Sequence, residues 1–78
     1  MIDYIATFHS HFGALTYFKT LKKLNIPAKL MPVPRKISAS CGTCVKYENP
    51  QVVYLEGCEV DGIYIVEADE TYSLKIKT

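Results

Sequence analysis

The residues with the clearest chemical potential are two cysteines, Cys41 and Cys44, separated by two residues. At this spacing the two sulfurs can close a small-loop disulfide, or both can bind one metal ion. A third alternative is a loop whose cysteines have no chemical role. The motif alone does not decide between these alternatives, so the residues around it must be considered.

The residues that flank Cys41 favour a reactive thiol. Arg35 and Lys36 would stabilise a thiolate electrostatically, and Ser40 and Gly42 stand on either side of the cysteine. The glycine would let backbone N–H groups come close to an anion. Redox Cys-x-x-Cys sites are strongest where the first cysteine opens a helix, whereas the residues after this pair are typical of a strand. We therefore expect a working thiol at Cys41 but not a thioredoxin-type enzyme.

Two histidines, His9 and His11, form a second set of candidate site residues. They could supply a base, or two nitrogen ligands that would complete a Cys₂His₂ set with Cys41 and Cys44, as zinc accepts. Alternatively, both histidines only help to end a strand and to begin a helix, with Ser10 as the N-cap. Zinc is the cofactor of the metal-site alternative, and the thiol alternative needs none.

Composition and charge limit the class of protein. The 78 residues are 49% hydrophobic and 22% charged, which predicts one folded domain over residues 1–78. A net charge of +1 without long basic runs argues against nucleic acid as a partner, and no apolar run is long enough for a membrane span. An odd number of cysteines and no leader-like start predict a cytoplasmic protein. Without a phosphate loop or nucleophile elbow, we expect a carrier or binding protein rather than a conventional enzyme.

Hydrophobic patterning predicts the elements that position these residues. Strands are predicted at residues 2–8, 28–33, 43–48, 62–67 and 71–77. A helix is predicted from Ser10 to about Asn25, and the ambiguous segment 51–58 favours a short helical turn. Free cysteines are most often small buried hydrophobes, so we expect Cys58 to be structural.

This order of elements predicts an α+β fold, a ferredoxin-like split βαβ sandwich with helices on one face of one sheet and a short or degenerate second helix. The start of the first helix and the loop between the second and third strands then meet at one sheet edge. Segments 9–11 and 41–44 would be neighbours there. The other sheet face would be uncovered, which favours a homodimer or, as a third functional alternative, a non-enzymatic interaction domain.

The segments PVPRKISASCGTC (32–44) and TFHSHFGAL (7–15) together resemble the Se/S carrier-like family of small bacterial domains. The resemblance covers nearly the whole chain, and residues 32–42 are its specific part. It implies a cysteine that carries sulfur or selenium, and this role falls on Cys41 at the Ser-Cys-Gly position. The implied partners are sulfur or selenium donor and acceptor proteins. We hypothesise that Cys44 is the resolving thiol.

Limited alkylation near neutral pH should label Cys41 first, Cys44 second and Cys58 last, because Cys44 is expected to be half shielded by the sheet. Replacing both Arg35 and Lys36 by Gln should slow the labelling of Cys41, more at low salt than at high salt, since electrostatic activation is screened. Peptide mass spectrometry gives the rate for each cysteine. Earlier labelling of Cys44 or Cys58 would mean that Cys41 is not the working thiol.

Overall fold

The structure, a computed structural model, describes residues 1–78. Its elements are strand β1 (Ile2–Phe8), helix α1 (His11–Lys23), and strands β2 (Ala28–Pro32), β3 (Thr43–Asn49), β4 (Val60–Val66) and β5 (Tyr72–Lys77). All five predicted strands and the predicted helix are confirmed to within a few residues. The helix is too short and too polar to cross a membrane.

The five strands form one sheet in the order β2-β3-β1-β4-β5, with every neighbouring pair antiparallel. The predicted α+β class, with one sheet and a helix on it, is confirmed. The predicted second helix is wrong, because residues 50–59 contain only an isolated turn at Glu56–Gly57. A chain with one helix and a fifth strand does not confirm the ferredoxin-like arrangement.

The start of α1 is fixed by Ser10. This residue has extended backbone angles, φ −145° and ψ 158°, and its Oγ accepts a hydrogen bond from the Gly13 N–H at 3.1 Å. It is therefore the N-cap, as predicted. Lys22 and Lys23 lie in the last turn, where cations favour the helix dipole, and Asn25 with φ 61° ends the helical path.

Tyrosines on the helix side of the sheet explain why segment 50–59 does not need a helix. The Tyr4 and Tyr47 rings stack at 5.1 Å, and Tyr17 from α1 packs against Tyr47. The Tyr17 hydroxyl donates to the Val53 carbonyl at 2.6 Å, while the Val53 N–H donates to the Tyr47 hydroxyl at 3.1 Å. Burial raises the pKa of both phenols, so they stay neutral. The two hydroxyls thus pair both backbone groups of Val53, which lies in a segment that has neither helix nor strand.

The beginning of α1 lies directly against the chain that enters β4. The Glu59 carbonyl accepts a hydrogen bond from the His9 N–H at 2.9 Å. A Cβ atom added at Gly13 would lie only 2.1 Å from the Cys58 carbonyl oxygen. Glycine is therefore required at this position for close approach of two backbones, not for an unusual φ.

The opposite side of the sheet, here called the back face, is not uncovered as the sequence predicted. Residues 33–42, the loop between β2 and β3, lie across it and are called the strap below. Ile37 of the strap is only 7% exposed and packs with Ile5 and Cys44. Leu74 of β5 remains 54% exposed at the side that the strap leaves free.

Gly13→Ala should destabilise the protein by about 1–3 kcal/mol, although glycine-to-alanine changes in a helix usually stabilise by about 1 kcal/mol. The reason is that the new methyl group meets a backbone oxygen, which cannot move without displacing the entry to β4. Gly42→Ala is the matched control, since its Cβ would meet no atom within 4 Å. Urea unfolding measures both variants, and equal stabilities would contradict the close approach.

Candidate thiol site

The strap is closed at its base and turned at its tip. At the base, the Val33 N–H donates to the Gly42 carbonyl at 3.0 Å and extends the pairing of β2 with β3. At the tip, the Ile37 N–H donates to the Pro34 carbonyl at 3.0 Å. The resulting turn presents the two basic residues between them to solvent. The conformation of the strap is therefore fixed by hydrogen bonds between its own residues.

The basic tip of the strap is Arg35 and Lys36, and Lys36 lies near the hairpin between β4 and β5. Hydrogen bonds from Thr71 lower the pKa of the Asp69 carboxyl, and the charge of Lys36 lowers it further. Neither basic side chain has a salt-bridge partner. Lys36 therefore lies near one acidic group, Asp69, without forming a salt bridge with it.

The three cysteines are all free thiols, but their surroundings differ. Cys41 lies on the returning arm of the strap and is partly exposed. Cys58 is 4% exposed and belongs to the core between α1 and the sheet, which confirms its predicted structural place. Cys44 is 0% exposed, more deeply buried than the half-shielded position predicted for it, because the strap lies over the back face.

Burial also sets the acidity of the inner thiol of the pair. The Cys44 Sγ donates to the Pro32 carbonyl at 3.6 Å and has no cation beside it. Burial raises its pKa to about 11. Near neutral pH this thiol is therefore protonated and a poor nucleophile, since the thiolate is the reactive form.

Around Cys41 the backbone offers unused donors. None of the N–H groups of residues 38–42 donates a hydrogen bond within the protein. Ser38 and Ser40 are also exposed. Gly42 does not adopt a positive φ, so nothing inside the fold requires glycine there, and its bare surface is open to an approaching molecule. The N–H groups of the returning arm are therefore unpaired within the protein.

The two histidines point to different parts of the structure. His11 Nδ1 lies 3.2 Å from Thr43 Oγ1, so the start of α1 contacts the Cys-Gly-Thr-Cys segment, as the predicted topology requires. His9 Nε2 instead lies 3.7 Å from Asp61 Oδ1, and the same carboxylate oxygen binds Lys77 Nζ at 2.8 Å. Only His11 is therefore brought to the thiol segment by a defined contact.

The structure does not assemble the alternative zinc set Cys41, Cys44, His9 and His11. No three His, Cys, Asp or Glu side chains lie close enough together to hold a metal ion. The physical reason is that Cys44 points into the back face under Ile37, whereas the His9 ring is directed to Asp61. A closed zinc site would need four convergent ligands at about 2 Å from the ion.

Sequence reasoning missed two residues of the site, Ile37 and Thr43, and it also missed Asp61, which contacts His9. Ile37 is the one large apolar residue in the otherwise small or polar segment Arg-Lys-Ile-Ser-Ala-Ser. A single large apolar side chain in such a loop could have indicated that the loop packs against the sheet there. Thr43 had no signal, because its contact with His11 joins residues 32 positions apart. Asp61 falls where the β1–β4 register shifts, an irregularity that no local pattern predicts.

The raised pKa of Cys44 predicts a pH dependence of stability. The folded protein holds the thiol proton up to about pH 11, compared with an ordinary value of 9.0. The unfolded chain therefore loses this proton first, so stability should fall from about pH 9 to pH 11, by at most about 1.4 kcal/mol per pH unit. Urea unfolding across this range should show a shallower fall for Cys44→Ala. Parallel curves for the two proteins would contradict the burial of the thiol.

Comparison with known proteins supports the resemblance. A family model described as "Putative Se/S carrier protein-like" matches residues 3–65, which include α1, the strap and all three cysteines but not β5. No curated protein and no solved structure matches the chain. Because the family match spans well over half of its residues, the chain belongs to the Se/S carrier-like family.

Proposed function

We propose that the protein carries sulfur or selenium on Cys41, as a persulfide or selenosulfide, with Cys44 as the resolving thiol. The observation that carries this proposal is the exposure of one cysteine out of three: Cys41 reaches solvent, whereas Cys44 and Cys58 are buried. A carrier must exchange its cargo with partner proteins, so its thiol must be accessible. Membership of the Se/S carrier-like family supports the nature of the cargo.

Loading is a transfer of sulfane sulfur from a donor persulfide. The Cys41 thiolate attacks the terminal sulfur of a donor R–S–SH, so that Cys41–S–SH forms and the donor leaves as R–S⁻. No oxidant is needed, because the bond formed and the bond broken are both sulfur–sulfur bonds. A selenium cargo follows the same exchange, with Cys41–S–SeH as the loaded form.

Unloading has two routes. An acceptor thiolate can take the terminal sulfur by the reverse of loading. Alternatively, the Cys44 thiolate attacks the Cys41 sulfur, which forms the Cys41–Cys44 disulfide and releases HS⁻. In the second route the carried sulfur is reduced and the two thiols are oxidised, so a reducing dithiol partner must restore the pair by two exchange steps. This requirement suits the reducing cytoplasm, which we propose as the location.

The surrounding groups have separate roles in this proposal. Arg35, Lys36 and the free N–H groups of residues 38–42 stabilise the anionic thiolate and persulfide. His11, fixed at Thr43, is the candidate proton donor to a leaving thiolate or sulfide. Ser10 serves as the helix cap and so acts only through the position of His11.

The fold supports a related proposal, that this domain is a variant of the ferredoxin-like arrangement. Strand β3 lies between β1 and β2, and β4 lies on the other side of β1. In this variant the irregular segment 50–59 replaces the second helix, and β5 is an additional strand at the edge of the sheet. Although a segment without helix replaces the second helix, the strap and the start of α1 still lie at one end of the sheet.

A second candidate function, a binding or homodimer surface without thiol chemistry, has one supporting observation. Leu74 is 54% exposed on the back face beside the strap. In such a protein Cys41 would be dispensable for partner binding. Substitution of Cys41 by Ser therefore separates this candidate from the carrier proposal.

Incubation with a persulfide donor followed by intact mass spectrometry should show a gain equal to one sulfur atom. The adduct should be absent in Cys41→Ser and present in Cys58→Ser, the matched control at a buried cysteine. In Cys44→Ser the adduct should form normally and persist longer, because the intramolecular release of sulfide is blocked. An adduct that survives in Cys41→Ser would overturn the assignment of the carrier thiol.

A further inference from the structure

Cys44 is fully buried on the back face, in a cluster with Ile5 and with Ile37 of the strap. We infer that Ile37 is a positioning residue that controls access to Cys44. While Ile37 holds the strap against the back face, the resolving thiol cannot react. When the strap moves away from the back face, Cys44 becomes accessible and can react. The inference rests on the proposed carrier function, because it concerns when Cys41 loses its cargo to Cys44. The same protein would then have two states. With the strap over Cys44 only Cys41 reacts, and with the strap lifted both thiols react.

The two buried cysteines differ in what would have to move to expose them. Cys58 lies in a core of 11 buried residues between α1 and the sheet. Cys44 lies in a buried cluster of three with Ile5 and Ile37, and strand residues and Val33 of the strap pack against it. Exposure of Cys58 therefore requires the helix side to open, whereas the strap contributes all the members of the Cys44 cluster that lie outside the strands.

The strap is attached to the back face without hydrogen bonds. The two backbone hydrogen bonds of its residues, Val33 to Gly42 and Ile37 to Pro34, both join the strap to itself. No side chain of the strap forms a hydrogen bond or salt bridge with a strand that it crosses. Burial of Ile37 is thus the main interaction that holds it down, aided by the screened attraction between Lys36 and Asp69.

The chemistry of Cys44 changes with the strap. Under the strap the thiol is protonated and donates to the Pro32 carbonyl, so it cannot attack a persulfide on Cys41. Once the strap lifts, water reaches Cys44 and removes the burial that opposes ionisation. The thiolate then attacks the Cys41 sulfur, forms the disulfide and releases HS⁻. A lowered strap therefore protects the cargo from premature release.

The test is thiol labelling by iodoacetamide under native conditions with increasing urea, followed cysteine by cysteine by peptide mass spectrometry. Local opening exposes little surface, so the rate for Cys44 should depend weakly on urea, whereas the rate for Cys58 should rise with the slope of global unfolding. Ile37→Ala should raise the Cys44 rate by about tenfold or more, since the main anchor is lost. Ile37→Val, a conservative change that retains most of the anchor, should raise it much less.

The matched control destabilises the helix side and leaves the strap intact. Tyr17→Phe removes the hydrogen bond to the Val53 carbonyl, so it should speed labelling of Cys58 but not of Cys44. Equal urea slopes for both cysteines, or faster Cys44 labelling in Tyr17→Phe, would show that Cys44 is reached only by global unfolding and would overturn the inference. These slopes are measured on the unsubstituted chain as well, so a poorly folded Ile37→Ala does not remove the test. Labelling needs no sulfur donor, so failure of the inference is distinguishable from failure of the carrier function.

Discussion

Burial of β1 on both faces is the constraint on which the rest of the structure depends. Tyr4, Ala6 and Phe8 face the helix side, while Ile5 and Thr7 face the back, and all five are nearly inaccessible to water. One helix can cover only one face of the sheet. The chain covers the other face with the strap, which carries Cys41 near its end and covers Cys44 at the start of β3.

The sequence predicted the five strands, the first helix and the greater exposure of Cys41, because these depend on local patterns. Ser10 as a cap and Cys58 as a buried residue are further examples. The order of the other two cysteines was wrong, since Cys44 at 0% exposed lies deeper than Cys58 at 4%. The back-face cover was not predicted, since the contact of Ile37 with Ile5 joins distant parts of a chain whose local pattern is polar. The irregular segment 50–59 was also missed, because its contacts use the hydroxyl groups of Tyr17 and Tyr47, which periodicity treats only as bulky side chains.

Strand β5 lies outside the residues that the family model matches, yet it is joined to the candidate site's surroundings. Lys77 binds the buried carboxylate of Asp61 at 2.8 Å, and this hydrogen bond raises the pKa of the lysine. Tyr72 packs against the cluster that contains Cys44. The fifth strand thus neutralises a buried charge at one end and widens the surface on which the strap rests at the other.

The hydrogen bond between Val33 and Gly42 closes the strap at its base. Changes at the tip therefore need not alter the pairing of β2 with β3. Residues 34–36 touch no strand through a hydrogen bond, so their length and charge can change while the sheet register stays fixed by β2 and β3. Lengthening a closed loop is inexpensive, since each doubling costs only about 0.6 kcal/mol in closure entropy. The tip can therefore change in length and charge without a change in the buried core.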